Sequence, residues 1–273
     1  MARSGAPSVN PRRAPIPDMG PGERRLEGAT AHYLSNVLRL RAGDVFTAFD
    51  PATAREADGT VIGVERGHVS VRLSSTRDGA ARAPRSVTWV QGLAKGDKCD
   101  AVVRDATELG ATRIVVTATQ RSVPRLDPAR SLARRVRWAK IAEQAARQCG
   151  RSDAPIVLAS TRWEDALDSC ADAETRLCLW DGADEPLAPT LLDALARATS
   201  LAFACGAEGG LDDGEVRSAV ARGWRPVSLG SLILRTETVA AAVLGAVLVW
   251  AHAFGDVASG RKMLNEKRKG HGT

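Results

Sequence analysis

The sequence predicts an α/β protein in which a small β-barrel-like domain precedes a mostly parallel sheet with helices on both faces. From residue 23 to about residue 80, short segments such as "HVSVRLSS" alternate apolar and polar residues and are broken by Gly or Asp. That pattern is typical of short antiparallel strands. After residue 86, apolar strands alternate with helical segments, which indicates βαβ units and a parallel sheet.

The chain is divided by composition into four segments. Residues 1–22 are rich in Pro, Gly and Arg and are expected to be poorly ordered. Residues 23–82 form the β-barrel-like domain, and "TRDGAARAPRS" is the expected linker. Residues 86–256 form the α/β domain, and residues 257–273 are a basic tail.

The elements follow one another in a regular order. The first domain has the strands "DVFTAFD", "EADGTVIGVERG" and "HVSVRLSS" and one helix, "TAHYLSNVLRL". The second begins with strand "SVTWVQGL", helix "GDKCDAVVRDATELG", strand "TRIVVTAT" and the long basic helix "PARSLARRVRWAKIAEQAARQCG". Both of these helices end at a glycine, as helices commonly do. The strands "PIVLA", "TRLCLWD", "SLAFACG" and "PVSLG" follow with helices between them, and a final helix covers about Thr236 to Phe254.

Composition limits the classes of function. The net charge of +6 and the pI near 9.4 slightly favour a polyanionic partner such as nucleic acid. Five cysteines without a CxxC pair and four scattered histidines argue against a disulfide framework or a zinc site. The start of the chain has no signal-peptide core, and "TVAAAVLGAVLVWAHAF" is interpreted as a buried helix. We therefore expect a cytoplasmic protein without a metal or a membrane.

A glycine-rich stretch, "CGAEGGLDDGEV" (Cys205 to Val216), follows an apolar strand. It lacks the lysine of a P-loop and the spacing of a dinucleotide fingerprint. Asp212 and Asp213 suit a helix N-terminus, where they would repel a phosphate. The glycines indicate that something approaches the backbone closely. The alternative is a tight turn before a capped helix.

The stretch "LGSLILRTETVAAAVLGAV" (Leu229 to Val247) places Arg235 at the mouth of an alanine-rich helix. Thr236 or Thr238 could cap that helix. A cation at a helix N-terminus opposes the macrodipole, so Arg235 is a functional candidate. The alternative is an interface ion pair.

Two basic segments are candidate ligand contacts. Arg121 and Ser122 lie just beyond the strand "TRIVVTAT", where ligands bind in open α/β sheets. Lys140, Gln144 and Arg147 lie near one face of the long basic helix, although a purely structural helix face is an equal alternative.

Together, "KGDKCDAVVRDATELGATRIVVTATQRSV", "EQAARQCGR", "GAEGGLDDGEV" and "PVSLGSLILRTETVAAAVLGAV" resemble the RsmE family, the bacterial 16S ribosomal RNA (uracil-N3)-methyltransferases of the SPOUT superfamily. "HYLSNVLRLRAGDVFTAFD" is similar to that family's PUA-like RNA-binding domain, and the resemblance begins at about residue 24. The chain departs from the family at Ala207, where proline is usual, at Asp105, where lysine is common, and in lacking the Arg-Phe start.

The resemblance implies a trefoil-knotted methyltransferase domain, a homodimer, and S-adenosylmethionine (SAM) as the cofactor for methylating N3 of a uridine in the 16S ribosomal RNA of the small subunit. The implied cofactor-binding residues come from two loops: Gly206, Glu208, Gly209, Gly210, Leu229, Gly230, Leu234 and Thr236.

Losing the imide proton of uracil places charge on O2 and O4, which a fixed cation would stabilise. Arg235 is assigned to this role or to positioning the uracil. Glu237 is assigned to accepting the proton, with Glu208 as an alternative acceptor. No cysteine nucleophile is needed, so Cys205 is interpreted as structural. The candidates for contacts to RNA phosphates are Arg39, Arg121, Arg125, Arg147 and Arg151.

Two other functions stay open from sequence. One is another SPOUT RNA methyltransferase, acting on a ribose 2′-oxygen or a tRNA base. The other is a non-catalytic RNA-binding protein of the same fold. A dehydrogenase is disfavoured because the dinucleotide fingerprint is missing.

Overall fold

A computed structural model describes residues 12–123 and 128–254. The chain divides into two compact units. The first contains the residues up to Arg82 together with Glu143–Ala154, and the second contains Ala83–Ala142 and the residues from Pro155 onward.

The first unit is a six-stranded, largely antiparallel sheet. Its strands are β1 (Arg13–Pro15), β2 (Gly22–Glu27), β3 (Val45–Asp50), β4 (Arg55–Glu65), β5 (His68–Leu73) and β6 (Arg77–Asp78). They lie in the order β1-β3-β4-β5-β2, with β6 beside β4. Helix α1 (Gly28–His32) continues as a π-helical segment, Tyr33–Val37. The antiparallel strands predicted from apolar–polar alternation are confirmed, because β4 pairs antiparallel with both β3 and β5. Alternate residues of β5 are buried, as the alternation predicted.

Residues 12–22 differ from the expectation of a poorly ordered segment. β1 pairs in parallel with β3, and Ala14 and Ile16 are fully buried. The buried guanidinium of Arg13 donates a 2.6 Å hydrogen bond to Glu56. The high content of Pro, Gly and Arg indicated disorder, but the segment also contains the alternating apolar residues Ala14 and Ile16, which are buried beside this ion pair. Residues 1–11 and the predicted basic tail, 257–273, lie outside the described residues.

The second unit contains a six-stranded sheet whose recorded strand pairs are all parallel. Its strands are β7 (Ser86–Gly92), β8 (Arg113–Thr117), β9 (Ile156–Ser160), β10 (Thr175–Leu179), β11 (Ser200–Cys205) and β12 (Arg225–Val227). The spatial order is β12-β10-β11-β7-β8-β9. The helices are α2 (Lys98–Glu108), α3 (Pro128–Cys149), α4 (Trp163–Asp168), α5 (Leu187–Arg197), α6 (Asp213–Ala221) and α7 (Thr236–Phe254).

Helices cover both faces of this parallel sheet, as the sequence predicted. Successive strand residues point to opposite faces, so Trp89 packs in the core layer with α2, α5 and α7. Its neighbour Val90 packs in the layer with α4 and α6. The α/β class is therefore confirmed.

Helix α7 has one buried face and one exposed face. The buried stripe has the i, i+3, i+4 spacing of a helix and belongs to the sheet core: Val239, Ala240, Val243, Leu244 and Val247. The helix is long and apolar enough to cross a membrane by length and composition alone, with a mean hydropathy of 1.4 over Thr236–Ala253. The core helix of a soluble protein passes the same test, so length and composition alone do not assign α7 to a membrane.

Candidate active site

The main cavity of the second unit, about 620 Å³, lies at the carboxyl ends of its parallel strands. Three chain segments line it, one after each of β10, β11 and β12, and Lys98 of α2 completes it. Carboxyl ends of neighbouring parallel strands meet at one edge of a sheet, which is where ligands bind in this class of fold. The segments contain Leu179–Asp181, Cys205–Leu211 and Ser228–Thr236, and Val239 also lines the cavity.

The glycine-rich loop packs against the protein's own backbone. A Cβ on Gly206 would lie 2.5 Å from the carbonyl carbon of Gly210, and one on Gly92 would lie 2.4 Å from the nitrogen of Ala207. Gly210 has a φ of +69°, which favours glycine. The close approach inferred from sequence is thus made, at Gly92 and Gly206, by neighbouring backbone.

A buried hydrogen-bond network connects this loop to the start of α7. The Thr236 hydroxyl donates to the carbonyl of Gly206 at 2.8 Å and accepts from Nε2 of Gln91 at 2.7 Å. Trp89 Nε1 in turn donates to Oε1 of Gln91. Thr236 is buried, so its hydroxyl positions the loop and the helix relative to each other, a role that the predicted N-cap did not include.

Glu208 is tied to the segment that follows β7. Its Oε1 accepts the backbone N–H of Lys95 at 3.0 Å and the ammonium of Lys98 at 2.9 Å. Burial alone would raise the pKa of the Glu208 carboxyl, but the Lys98 ammonium and the N–H bonds lower it on balance. Glu208 is therefore held in its ionised form at the cavity edge.

The far side of the glycine-rich loop is held by the segment after β8. Asp212 and Glu215 form a capping box at the start of α6, which confirms the helix start predicted at Asp212. Glu215 also accepts the N–H of Gln120 at 2.7 Å, and Arg121 donates to the Gly209 carbonyl at 2.9 Å. Burial raises the pKa of Glu215.

The loop after β12 contributes the exposed wall of the cavity. Leu232 and Ile233 are strongly exposed, and Gly230 has a φ of +114°. Arg235 follows and immediately precedes α7, where its carbonyl accepts the N–H of Val239. The guanidinium of Arg235 is exposed and has no hydrogen-bond or ion-pair partner among residues 12–123 and 128–254. This arrangement leaves it available to a ligand.

The structure brings together the predicted cofactor residues and Arg235, all of which line one cavity. Glu237 is not among the residues that line it. Its Oε2 is buried and has no hydrogen-bond partner in the described part of the chain.

The five candidate RNA arginines have different surroundings. Arg151 is only 6% exposed and donates to both carboxylate oxygens of Asp153, so its prediction as a surface phosphate contact is wrong. Its buried ion pair is structural. Arg147 stacks its guanidinium 4.1 Å from the ring centroid of Tyr33. Arg39 is exposed with a φ of +52°, and Arg121 is exposed beside Gly209. Arg125 lies outside the described residues.

Sequence reasoning missed four residues at the site. Trp180 and Asp181 line the cavity directly after β10, and the strand-end rule applied to "TRLCLWD" could have found them. Gln91 was visible as a polar residue in the apolar strand "SVTWVQG". Lys98 had no local signal, because its partner Glu208 is distant in sequence.

The sequence also led to expectations about Cys205 and about metal binding. Burial raises the pKa of the Cys205 thiol to about 11, which suits a structural residue and not a nucleophile. Within the described ranges, no group of three or more His, Cys, Asp or Glu could hold a metal ion.

Comparison with known proteins places the chain in a family. The family model described as RNA methyltransferase domain matches residues 81–248, more than half of the chain. A second model, RNA methyltransferase PUA domain, matches residues 26–74. Ribosomal RNA small subunit methyltransferase E of Synechocystis is 33% identical over 234 residues, covering 82% of this chain and 73% of the relative. The chain belongs to the ribosomal RNA small subunit methyltransferase E family.

Two other members of the methyltransferase E family are similar to this chain over most of their length. The Bacillus subtilis protein is 28% identical, covering 81% of this chain and 88% of the relative. The crystal structure of the Neisseria gonorrhoeae protein bound to SAM has a TM-score of 0.78 at 26% identity, covering 88% of this chain and 98% of that chain. The resemblance seen in the motifs is thereby confirmed, as is the N-terminal PUA domain.

Proposed function

We propose that this chain transfers the methyl group of SAM to N3 of a uridine in the 16S ribosomal RNA of the small ribosomal subunit. The observation that carries the proposal is the single cavity at the carboxyl edge of the sheet, where the two family loops and Arg235 meet. Relatives named for methylating small-subunit ribosomal RNA, and a neighbour of the same fold solved with SAM, support the reaction and the cofactor.

The residues that line the cavity fit SAM. Its volume of about 620 Å³ suits one small ligand. Carboxylates at Glu208 and Asp181 tolerate the positive sulfonium of SAM, and the cations Lys98 and Arg235 balance their charge. Leu179, Trp180 and Val239 provide apolar surface for adenine. The lining therefore suits a cofactor that carries charges of both signs and an aromatic base.

When bound, SAM supplies a methyl group that is activated by its sulfonium. The chain's own contribution is to orient the uracil and to stabilise charge. Arg235 has an unpaired guanidinium at the cavity, where it can donate to O2 or O4 as negative charge develops there. Holding both reactants at attack distance supplies a further large part of the rate.

The carboxylates have separate roles. The Lys98 ammonium lowers the pKa of the Glu208 carboxyl, so Glu208 is a weak base that shapes the loop. Glu237 stays our proposed acceptor because it follows Arg235 by two residues at the start of α7. Its buried Oε2 accepts no hydrogen bond from the described residues and would have to turn towards the cavity to take the proton. The predicted RNA contacts that stay proposed are Arg39, Arg121 and Arg147.

We further propose that two copies of the chain form a homodimer through α7. The exposed face of α7 contains the small or apolar residues Ala242, Ala246 and Val249. Leu232 and Ile233 extend this surface beside the cavity. Exposed apolar patches of this kind mark interaction sites, and a second copy would cover the patch on both protomers at once.

The domain bounds at 23–82 and 86–256, the trefoil knot and a cytoplasmic location belong to the same proposal. The knot is what the resemblance to the methyltransferase E family implies. The cytoplasmic location is supported by the proposed substrate, which is part of the ribosome.

The test is transfer of labelled methyl groups from SAM to purified small ribosomal subunits, to free ribosomal RNA and to tRNA. We expect incorporation into the ribosomal substrate, and none into tRNA. Arg235→Ala should reduce the rate by about 100-fold or more, as expected on losing a charge-stabilising group, while SAM affinity in calorimetry stays within a few-fold. Activity that survives in Arg235→Ala would refute the role of Arg235. A wild-type protein that does not bind SAM would indicate the non-catalytic alternative.

A further inference from the structure

Four charged side chains line the cavity: Lys98, Asp181, Glu208 and Arg235. Two of them, Lys98 and Glu208, form an ion pair in which the ammonium nitrogen lies 2.9 Å from the carboxylate oxygen Oε1. The side chains are 36% and 30% exposed, so the pair lies at the open edge of the cavity.

The hydrogen bonds of this pair leave both partners with unused capacity. Lys95 and Lys98 both donate to Oε1 of Glu208, and the backbone N–H of Glu208 also interacts with this carboxylate. A carboxylate has about four acceptor sites, so these three donors leave acceptor capacity unused. The Lys98 ammonium has three donors, of which one is recorded as bonded to Glu208. One acceptor and further donors therefore lie side by side at the cavity edge.

The rest of the cavity wall differs in character. The cavity also has an apolar region, formed by Leu179 and Trp180 at the carboxyl end of β10 and by Val239 in the first turn of α7. A ligand with one aromatic end and one doubly charged end would place the aromatic end here, because burying a charge without a partner is unfavourable.

We propose that the Lys98–Glu208 pair binds the amino-acid end of the cofactor, its carboxylate on Lys98 Nζ and its ammonium on Glu208 Oε2. This inference rests on the proposed function, because it assigns a part of SAM to named side chains. The carboxylate and the ammonium of an amino acid are attached to one carbon, so they need an acid and a base that lie next to each other. Lys98 and Glu208 are the charged pair lining the cavity that the structure holds in direct contact.

The experiment compares three ligands by calorimetry on the wild-type full-length chain and on Lys98→Ala. SAM has both the sulfonium and the amino-acid end, S-adenosylhomocysteine has only the amino-acid end, and 5′-methylthioadenosine has neither. We expect Lys98→Ala to weaken SAM and S-adenosylhomocysteine by about tenfold, as for a partly exposed charge-assisted hydrogen bond. Affinity for 5′-methylthioadenosine should change by less than about threefold.

Two further variants separate a direct contact from other effects. Arg104→Ala removes a cation from an exposed position of the same helix, outside the cavity lining, and should leave all three affinities unchanged. Lys98→Arg keeps the charge and should recover part of the affinity for SAM and S-adenosylhomocysteine. Far-ultraviolet circular dichroism of each variant reports whether it folds.

The outcomes distinguish failure of the Lys98–Glu208 assignment from failure of the proposed function. Equal losses for all three ligands would mean that Lys98 only positions the loop, and the inference would be wrong. A loss confined to SAM would assign the pair to the sulfonium and would also refute it, as would unchanged affinities. If the wild-type chain bound neither SAM nor S-adenosylhomocysteine, the proposed function itself would fail together with this inference.

Discussion

Removal of the Thr236 hydroxyl tests whether the cofactor loop is held in place from the start of α7. Thr236→Val keeps the shape of the side chain. It deletes two buried hydrogen bonds, of 2.8 Å to the Gly206 carbonyl and 2.7 Å from Gln91, and a weaker contact of 3.6 Å with the sulfur of Cys205. Neither partner is left without a hydrogen bond, because Gln91 Nε2 also donates to the carbonyls of Gly92 and Gly206. The loss is therefore about 1 kcal/mol for each bond, or about 2 kcal/mol of unfolding free energy.

The assay is thermal unfolding, with SAM affinity measured on the same samples. For a domain of this size, a loss of about 2 kcal/mol lowers the Tm by roughly 4–8 °C. Affinity for SAM should fall too, because binding then has to order the loop. Thr236→Ser retains the hydroxyl and serves as the matched control. A Thr236→Val protein with the Tm and SAM affinity of the wild type would show that this network does not hold the loop.

Three further perturbations test separate parts of the account. Gly206→Ala would place a Cβ 2.5 Å from the Gly210 carbonyl carbon, so we expect a loss of about 1–3 kcal/mol from overpacking and weaker SAM binding; Gly63→Ala, which meets open space, is the control. Ala246→Arg on the exposed face of α7 should give a monomer in light scattering, whereas Ala196→Arg on α5 should not, and a dimeric Ala246→Arg protein would exclude this interface. Burial raises the pKa of the Glu56 carboxyl, but the hydrogen bonds from Ser152 and Arg13 lower it on balance. The ionised Glu56 therefore stabilises the fold above the unfolded pKa of about 4.3, and this stabilisation is lost as the pH falls through the folded pKa. Glu56→Gln should therefore unfold more easily than wild type at neutral pH and approach it in acid, and a pH-independent difference in Tm would contradict this assignment.

The strands and helices of the second unit were predictable because each has a local signature. "SLAFACG" is a continuous apolar run, and the predicted helix start at Asp212 depends on residues a few positions apart. The family motifs also placed Gly206, Glu208 and Arg235 at one site, although nothing in their spacing brings these loops together.

Contacts between distant residues were not predictable in the same way. Arg13 pairs with Glu56, and Lys98 pairs with Glu208, only because sheet topology brings their strands or loops together. Arg151 was predicted to be a surface cation, and this was wrong. Its partner Asp153 is only two residues away in sequence, but the burial of the Arg151 side chain depends on tertiary packing. Side-chain partners of this kind follow from the fold and not from local pattern.

The most direct test of the central claim is the identity of the methylated nucleoside. Small ribosomal subunits lacking the modification are incubated with SAM and the full-length chain, and their RNA is digested and analysed by mass spectrometry. We expect 3-methyluridine from a single site in 16S ribosomal RNA, and its absence with Arg235→Ala. A 2′-O-methylated nucleoside, or a methylated base other than 3-methyluridine, would contradict it.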